Sequence, residues 1–187
     1  TATASKDGFV INGEKWYVTS GNKADFLWVQ AKIDSGFDSL FLVDKNSPGI
    51  EVIDNPQFSH TFSAHHPTYR FSDVFVPAEN QVGSGDAGMT YTRSWFRHER
   101  MMIAARSCGA AQRMIEEASA WAKTRHIDHE VLADKQAIQF MLADSVTELW
   151  AARLMLFEAA RAHDEGADLK SLHTRCAMVK LYCSEMA

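Results

Sequence analysis

The chain has 187 residues, of which 46% are hydrophobic and 23% are charged, and its formal net charge at pH 7 is -5. This apolar content is enough for one or two modest cores and is not the composition of a disordered chain. The acidic balance argues against a broad nucleic-acid surface, and no apolar run reaches the roughly 18 residues that a membrane-spanning helix needs.

The first part of the chain has the pattern of short β-strands. Residues 9–11 and 14–19 are β-prone and flank Asn12-Gly13, a pair that tolerates the positive φ angles of a type I′ turn, so a β-hairpin is predicted here. Further β-prone runs are separated by Gly, Asp, Asn, Ser and Pro, and they occupy residues 26–31, 40–44, 49–53 and 68–76. Five or six short strands at this spacing predict an antiparallel barrel or sandwich.

After Pro77 the spacing of apolar residues changes from two to about 3.6, which is typical of helices. Residues 88–124 predict one kinked helix or two. The part from 96 onwards is predicted to be buried along a stripe of Met102, Ile103, Ala110, Ala111, Met114 and Ala118. A second helix is predicted over 134–163, where apolar residues on two faces imply more than one neighbour. A last helix is predicted to start near Leu169.

The sequence therefore predicts an α+β fold, in which an antiparallel β-barrel or sandwich module precedes an up-and-down helical bundle. The predicted modules are residues 1–83 and 84–187. Both ends look cut, because a strand pattern is already running at Thr1 and a helical pattern reaches Ala187 without a stop signal. The chain is therefore expected to be a fragment, with both modules incomplete.

The cysteines and histidines predict neither a disulfide framework nor a metal site. The three cysteines, Cys108, Cys176 and Cys183, fall in helical patterns and are expected to be reduced packing residues. The histidine pairs, His65-His66 and His126 with His129, lack a third ligand at helical or hairpin spacing, so no metal is expected. We assign no role to the histidine-rich stretch 59–67.

Five landmarks, taken in order, resemble the acyl-CoA dehydrogenase family of flavoproteins. They are residues 11–21 (INGEKWYVTSG), 71–77 (FSDVFVP), the glycines of 83–88, 99–105 (ERMMIAA) with Gly109, and Arg125 followed by 133–143 (ADKQAIQFMLA). The likeness covers essentially the whole chain. It implies that bound FAD oxidises an acyl-CoA thioester between Cα and Cβ, while a carboxylate removes the α proton and the β hydrogen leaves as hydride to flavin N5.

The resemblance also implies which residues bind the cofactor. Tyr17, Val18 and Thr19 match an aromatic-aliphatic-Thr triplet in which the ring lies near the isoalloxazine and the hydroxyl donates a hydrogen bond at N5. Strand alternation is expected to put Tyr17 and Thr19 on one face, although from the pattern alone they are ordinary β-residues.

A second set of cofactor contacts is implied after the long helix. Arg125 matches an arginine that reaches the FAD pyrophosphate of a neighbouring subunit, and Lys135 and Gln136 match further contacts. The chain departs from the family pattern at Asp128 and His129, where a Phe-Gly pair is usual. An altered loop is therefore expected.

The substrate residues are implied by the charged cluster on the long helix. Glu99, directly before Arg100, is similar to the catalytic base of isovaleryl-type and long-chain members, whereas most members take their base from a Glu that would lie beyond Ala187. The resemblance places Arg100 at the substrate pocket, with Arg97 and His98 near CoA. From the residues alone, Glu99 could instead stabilise the helix N-terminus or pair with an arginine, Arg100 could form a buried ion pair, and the others could be a solvated helix end.

The resemblance thus implies an FAD-dependent acyl-CoA dehydrogenase of fatty acid metabolism. Such an enzyme works as a homotetramer (a dimer of dimers) or homodimer, passes electrons to an electron-transfer flavoprotein, and resides in the bacterial cytoplasm or the mitochondrial matrix. The alternatives are an acyl-CoA oxidase or flavin monooxygenase on the same scaffold, and a catalytically silent binding or oligomerisation module.

Overall fold

The computed structural model describes residues 1–58 and 64–187, so residues 59–63 of the histidine-rich stretch lie outside the described part. The chain divides into two compact units, Thr1–Thr92 and Arg93–Ala187. The first is built mainly of antiparallel strands and the second mainly of helices. The α+β prediction is confirmed, and the module boundary at 83/84 stays a prediction.

Two antiparallel sheets form the first unit. Their strands are β1 (Ala2–Ser5), β2 (Gly8–Lys15), β3 (Phe26–Lys32), β4 (Asp38–Asp44), β5 (Ile50–Asp54), β6 (Thr68–Pro77) and β7 (Gln81–Val82). One sheet has the order β1-β2-β6-β5 and the other β3-β4-β7. Alternate residues of β4 and β6, among them Phe41 and Val74, are fully buried in one shared core. Over the described strands the sheets form a sandwich and do not close into a barrel.

The predicted hairpin turn at Asn12-Gly13 is wrong, because both residues lie inside β2. The turn comes earlier, where Ser5 pairs with Gly8. Asn12 instead fits an irregularity in the pairing with β6: its side-chain Oδ1 accepts from the Asp73 N–H at 2.8 Å, and its Nδ2 donates to the Asp73 carboxylate at 3.0 Å. The side chain thus satisfies a backbone donor that the bulge removes from the ladder.

Three helices make up most of the second unit. They are α1 (Gly88–Thr124), α2 (Gln136–Asp164) and α3 (Leu169–Met186). The first is a single helix that begins within the first unit, and a short hairpin of β8 (His126–Ile127) and β9 (Glu130–Val131) leads from it to α2. Asp168 caps α3, because its carboxylate accepts from the Ser171 N–H at 2.9 Å.

The buried stripe of α1 shares Ala111 with the predicted one and otherwise differs from it. Small residues, Ala104, Cys108 and Ala111, are buried against α2 and α3, whereas Met102 and Met114 are half exposed. Small side chains allow the three helices to approach closely, which the helical period of the sequence could not reveal. Within the described residues, none of the helices combines the length and the apolar character needed to cross a membrane.

The three cysteines are buried and free of disulfides, as predicted. Cys108 Sγ lies 3.8 Å from Cys183 Sγ. Burial, and then the neighbouring Cys108 thiol, raise the pKa of Cys183 to about 12. Burial likewise raises the pKa of Cys176.

We expect all three thiols to react slowly with an aromatic disulfide reagent in the folded protein, because all three are buried and the raised pKa values of Cys176 and Cys183 also make their thiolates scarce. In denaturant the same thiols are expected to react at the rate of a model cysteine peptide. The absorbance of the released thiolate measures both rates. A fast phase in the folded protein that corresponds to one thiol or more would contradict the burial of these side chains.

Candidate functional site

An open cleft of about 150 Å³ lies beside Tyr17 in the first unit. Four of the side chains that line it are aromatic: Trp16, Tyr17, Phe58 and His66. The rings of Tyr17 and Phe58 are stacked, with centroids 5.6 Å apart and 17° between their planes. Because Tyr17 is still 55% exposed, the cleft offers an aromatic surface to a flat ligand.

The backbone of residues 16–20 is not the strand that the sequence predicts. β2 ends at Lys15, and Tyr17 has a left-handed φ of 53°. The segment bonds to a loop instead of a strand, since the Ser20 N–H donates to the His65 carbonyl at 2.7 Å. Tyr17 and Thr19 therefore do not share a face through strand alternation.

The structure nevertheless brings these two side chains to the same histidine. Thr19 Oγ1 lies 3.1 Å from His66 Nδ1, and the Tyr17 ring centroid lies 6.3 Å from that of His66. Val18 is half buried and packs against the hydrophobic core. The triplet thus separates into two residues beside the cleft and one anchor in the core.

The residues of the cleft fit the ring portion of a flavin. The exposed Tyr17 ring can lie against a conjugated plane. In the tautomer that carries the proton on His66 Nδ1, the Thr19 hydroxyl accepts this hydrogen bond and keeps its own proton to donate, which suits the role implied for it at N5. His66 itself was not predicted as a site residue, because it is 47 positions from Thr19 and no local pattern links the two.

The charged cluster of the second unit lies inside a helix. Since α1 begins at Gly88, Glu99 is about three turns from its N-terminus, so the helix-end interpretations of Arg97, His98 and Glu99 are wrong. Glu99 is half buried. Within residues 1–58 and 64–187, no ion pair or side-chain hydrogen bond involves its carboxylate.

Arg100 contacts two uncharged rings. Its Nη1 lies 3.0 Å from Nε2 of His173, and its guanidinium carbon lies 5.6 Å from the centroid of Phe96. In the described part of the chain it forms no ion pair, contrary to the alternative for this residue. His98 is exposed and lies with its ring 5.0 Å from that of His163.

Arg125, Lys135 and Gln136 flank the short hairpin between α1 and α2. Arg125 is exposed and its carbonyl accepts from the Leu132 N–H at 2.7 Å, while Gln136 is the first residue of α2. Lys135 Nζ lies 3.3 Å from Glu130, so part of its charge is compensated locally. The N-terminus of α2 and the positive charges of Arg125 and Lys135 favour the binding of an anion. The negative charge of Glu130 disfavours it.

The altered loop expected at Asp128 and His129 is a tight turn. Both residues have left-handed φ values, 54° and 70°, as a type I′ hairpin turn requires. They join β8 to β9, an element that the sequence did not predict, because neither residue is the glycine that usually marks such a turn. Among the described residues, no group of three His, Cys, Asp or Glu could hold a metal ion.

Comparison with protein families gives two adjoining matches. The model described as acyl-CoA dehydrogenase, middle domain, matches residues 1–74, and the model described as acyl-CoA dehydrogenase, C-terminal domain, matches residues 86–187.

Individual proteins are similar over most or all of the chain. Caffeyl-CoA reductase-Etf complex subunit CarC from Acetobacterium woodii is 32% identical over all of this chain and 49% of its own length. Cyclohex-1-ene-1-carbonyl-CoA dehydrogenase from Syntrophus aciditrophicus is 33% identical over 87% of this chain and 40% of its own. The structure of butyryl-CoA dehydrogenase from Megasphaera elsdenii superposes with a TM-score of 0.89 and 28% identity, over all of this chain and 49% of its own. This chain thus spans about half the length of its relatives.

Proposed function

Because the chain belongs to the acyl-CoA dehydrogenase family, we propose that the protein containing it is an FAD-dependent acyl-CoA dehydrogenase, an oxidoreductase that forms a Cα–Cβ double bond in an acyl-CoA thioester. The observation that carries the proposal is the match of the middle-domain and C-terminal-domain models to successive parts of the chain. FAD, when bound, supplies the two-electron chemistry by accepting the β hydrogen as hydride at N5.

In this proposal Glu99 removes the α proton. A general base must come within roughly 2.6–3.2 Å of the proton-bearing atom, so its carboxylate must not be committed elsewhere. Glu99 meets that requirement in the described part of the chain, where no cation or donor occupies its oxygens. Its half-buried position also limits competing contacts with water.

The cofactor ring is assigned to the cleft of the first unit. Tyr17 would pack against the ring, and the Thr19 hydroxyl would donate a hydrogen bond at N5. His66 orients that hydroxyl through its 3.1 Å contact, while Val18 fixes the segment to the core. Arg125, Lys135 and Gln136 are assigned to the FAD pyrophosphate of a neighbouring subunit, because their charge and the helix N-terminus favour phosphate oxygens.

The acyl-CoA is assigned to Arg97, His98 and Arg100. Guanidinium groups bind phosphate and carbonyl oxygens through several donors at once. Arg100 is suited to this role because its two contacts, His173 and Phe96, leave its positive charge uncompensated by any carboxylate in the described residues.

We assign electron-transfer flavoprotein as the electron acceptor, because the relative from Acetobacterium woodii is named as a subunit of a reductase-Etf complex. An acyl-CoA oxidase or a flavin monooxygenase would instead return its electrons to oxygen. The rate at which oxygen reoxidises the reduced flavin distinguishes these enzymes from a dehydrogenase.

The resemblance implies a homotetramer (a dimer of dimers) or a homodimer, and we assign a subunit contact to an apolar stripe on α2. The stripe consists of Phe140, Val146, Trp150, Leu154 and Phe157, each at least 52% exposed. Val146, Trp150, Leu154 and Phe157 recur at spacings of three or four residues on the side of α2 opposite the buried Ala152 and Ala159, and Phe140 lies at the edge of this face. A contiguous apolar helix face of this kind is typical of subunit contacts.

We expect Trp150→Glu to shift the assembly toward smaller species, because a charge in an apolar contact loses hydration without gaining a partner. Light scattering coupled to gel filtration measures the mass. Trp150→Phe retains an apolar ring and is expected to keep the native mass. An unchanged mass for Trp150→Glu would show that the stripe is not a subunit contact.

The proposed activity is tested by mixing the whole protein, loaded with FAD, with acyl-CoA under anaerobic conditions. The yellow flavin is expected to bleach and then to recover on addition of an electron-transfer flavoprotein. Thr19→Ala is expected to slow the bleaching. Failure to bind FAD would favour the silent module, and rapid recovery in air without the acceptor would favour an oxidase.

A further inference from the structure

The contact between Arg100 on α1 and His173 on α3 determines the state of the imidazole. A guanidinium carries donors and no acceptor, so the 3.0 Å contact requires Arg100 Nη1 to donate to a bare Nε2 of His173. The imidazole is therefore neutral, and its proton lies on Nδ1. A cationic imidazole would have no lone pair to offer and would repel the guanidinium.

The surroundings of His173 keep the ring neutral. Burial, followed by the charges of Arg100, Arg97 and Arg93 on α1, lowers the pKa of His173 below its usual value. Leu172 and Cys176, which flank His173 on α3, form an apolar cluster with Ala162 of α2. In this part of the structure, three cations and no carboxylate act on the imidazole.

The environment of Nδ1 indicates that the hydrogen bond accepted by Nε2 is the reason for an imidazole at this position. His173 Nδ1 is buried and has no hydrogen-bond partner in the described part of the chain. A buried donor without an acceptor costs about 1–3 kcal/mol. Since a leucine at this position would avoid that cost, stability alone does not account for the imidazole.

A neutral partner has a specific consequence for Arg100. A carboxylate would orient the guanidinium but would also cancel its charge, whereas His173 and Phe96 hold it from two sides without cancelling it. The guanidinium therefore keeps its full attraction for a ligand oxygen.

We propose that His173 is the positioning residue of Arg100: it fixes the guanidinium for acyl-CoA while leaving its charge available. The inference rests on the proposed function, since it takes acyl-CoA as the ligand of Arg100. Protonation of His173 abolishes the acceptor and adds a second positive charge, so acyl-CoA binding weakens as the pH falls through the lowered pKa of the ring.

Two substitutions in the whole FAD-loaded protein test this. His173→Leu removes the acceptor, and we expect KM for acyl-CoA to rise about tenfold, or about 1.4 kcal/mol, with kcat within about twofold of wild type. His173→Gln retains an oxygen acceptor and is expected to restore KM to within about twofold. It is also expected to lose the rise in KM that the wild type shows at acidic pH, because an amide does not titrate.

Equal KM values for wild type and His173→Leu would overturn the inference, as would a Gln variant no better than Leu. Nitrogen NMR of selectively labelled histidine adds a readout that needs no turnover: the proton is expected on Nδ1, and a proton on Nε2 would also overturn it. If wild type does not reduce its flavin with acyl-CoA, the proposed function fails. If Arg100→Gln impairs binding and His173→Leu does not, only the positioning role fails.

Discussion

Glu99→Gln in the whole protein is expected to lower the rate of flavin reduction by acyl-CoA about 10²–10⁴-fold, the usual contribution of a general base. The amide is nearly the same size as the carboxylate but cannot accept the α proton. Because no ion pair in the described residues depends on Glu99, the fold and the affinity for FAD are expected to be unchanged. Stopped-flow absorbance of the flavin measures the rate, and visible titration measures FAD binding.

Two measurements separate a lost base from a damaged helix. Glu116→Gln on the exposed face of α1 is the matched control and is expected to leave the rate within about twofold, since Glu116 contacts only Gln112 in the described chain. Exchange of the α hydrogen with solvent deuterium reports on the base directly. Full retention of this exchange in Glu99→Gln would assign the base to another carboxylate.

The second large effect is expected in the first unit, where Tyr69→Ala should lower the unfolding free energy by about 3–5 kcal/mol, as for other large buried aromatics. Tyr69 is 1% exposed, and its hydroxyl donates to the Gly21 carbonyl at 2.9 Å. A Cβ on Gly21 would come within 2.9 Å of the ring, so the two residues fit closely. Removing the ring therefore also releases the segment that carries Tyr17 and Thr19.

Tyr69→Phe separates the hydroxyl from the ring. It is expected to cost about 1–3 kcal/mol, because the Gly21 carbonyl loses its donor. Burial raises the pKa of the Tyr69 phenol. The unfolded chain therefore ionises first above pH 10, so wild-type stability falls as the pH rises through that range, and the Phe variant lacks this contribution.

Denaturant unfolding gives the order of stability, and hydrogen exchange of residues 16–21 locates the loss. Tyr69→Ala is expected to accelerate the exchange of these amides, relative to wild type, more than the exchange of the amides of β4. Wild-type stability in Tyr69→Ala, or exchange that rises equally in both places, would contradict a local anchoring role.

The spacing of apolar residues predicted the strands and helices whose burial follows from backbone geometry. The change from a period of two to 3.6 located the strands and the helices, since alternate burial in β4 and the stripe on α1 both follow from backbone geometry. The prediction of a hairpin turn at Asn12-Gly13 is wrong because the interaction that competes with the turn involves a residue far along the chain. Asp73, 61 residues away, supplies a bulge that uses the same asparagine.

The same limit applies to the candidate site. The resemblance singled out Tyr17, Thr19 and Arg100 as candidates, but the histidines that contact Thr19 and Arg100, His66 and His173, are 47 and 73 positions away from them. Neither histidine belongs to a local motif. Contacts of this kind depend on how β-strands and helices pair, which no window of sequence contains.

The central claim is dehydrogenation across Cα–Cβ, and the most direct measurement uses an acyl-CoA deuterated at both carbons. The whole FAD-loaded protein is mixed with this substrate under anaerobic conditions, and the mass of the thioester is measured by mass spectrometry. The account predicts an enoyl-CoA that has lost one deuterium from each carbon, in an amount equal to the flavin reduced. Recovery of the intact acyl-CoA with oxidised flavin, or bleaching without an enoyl product, would contradict it.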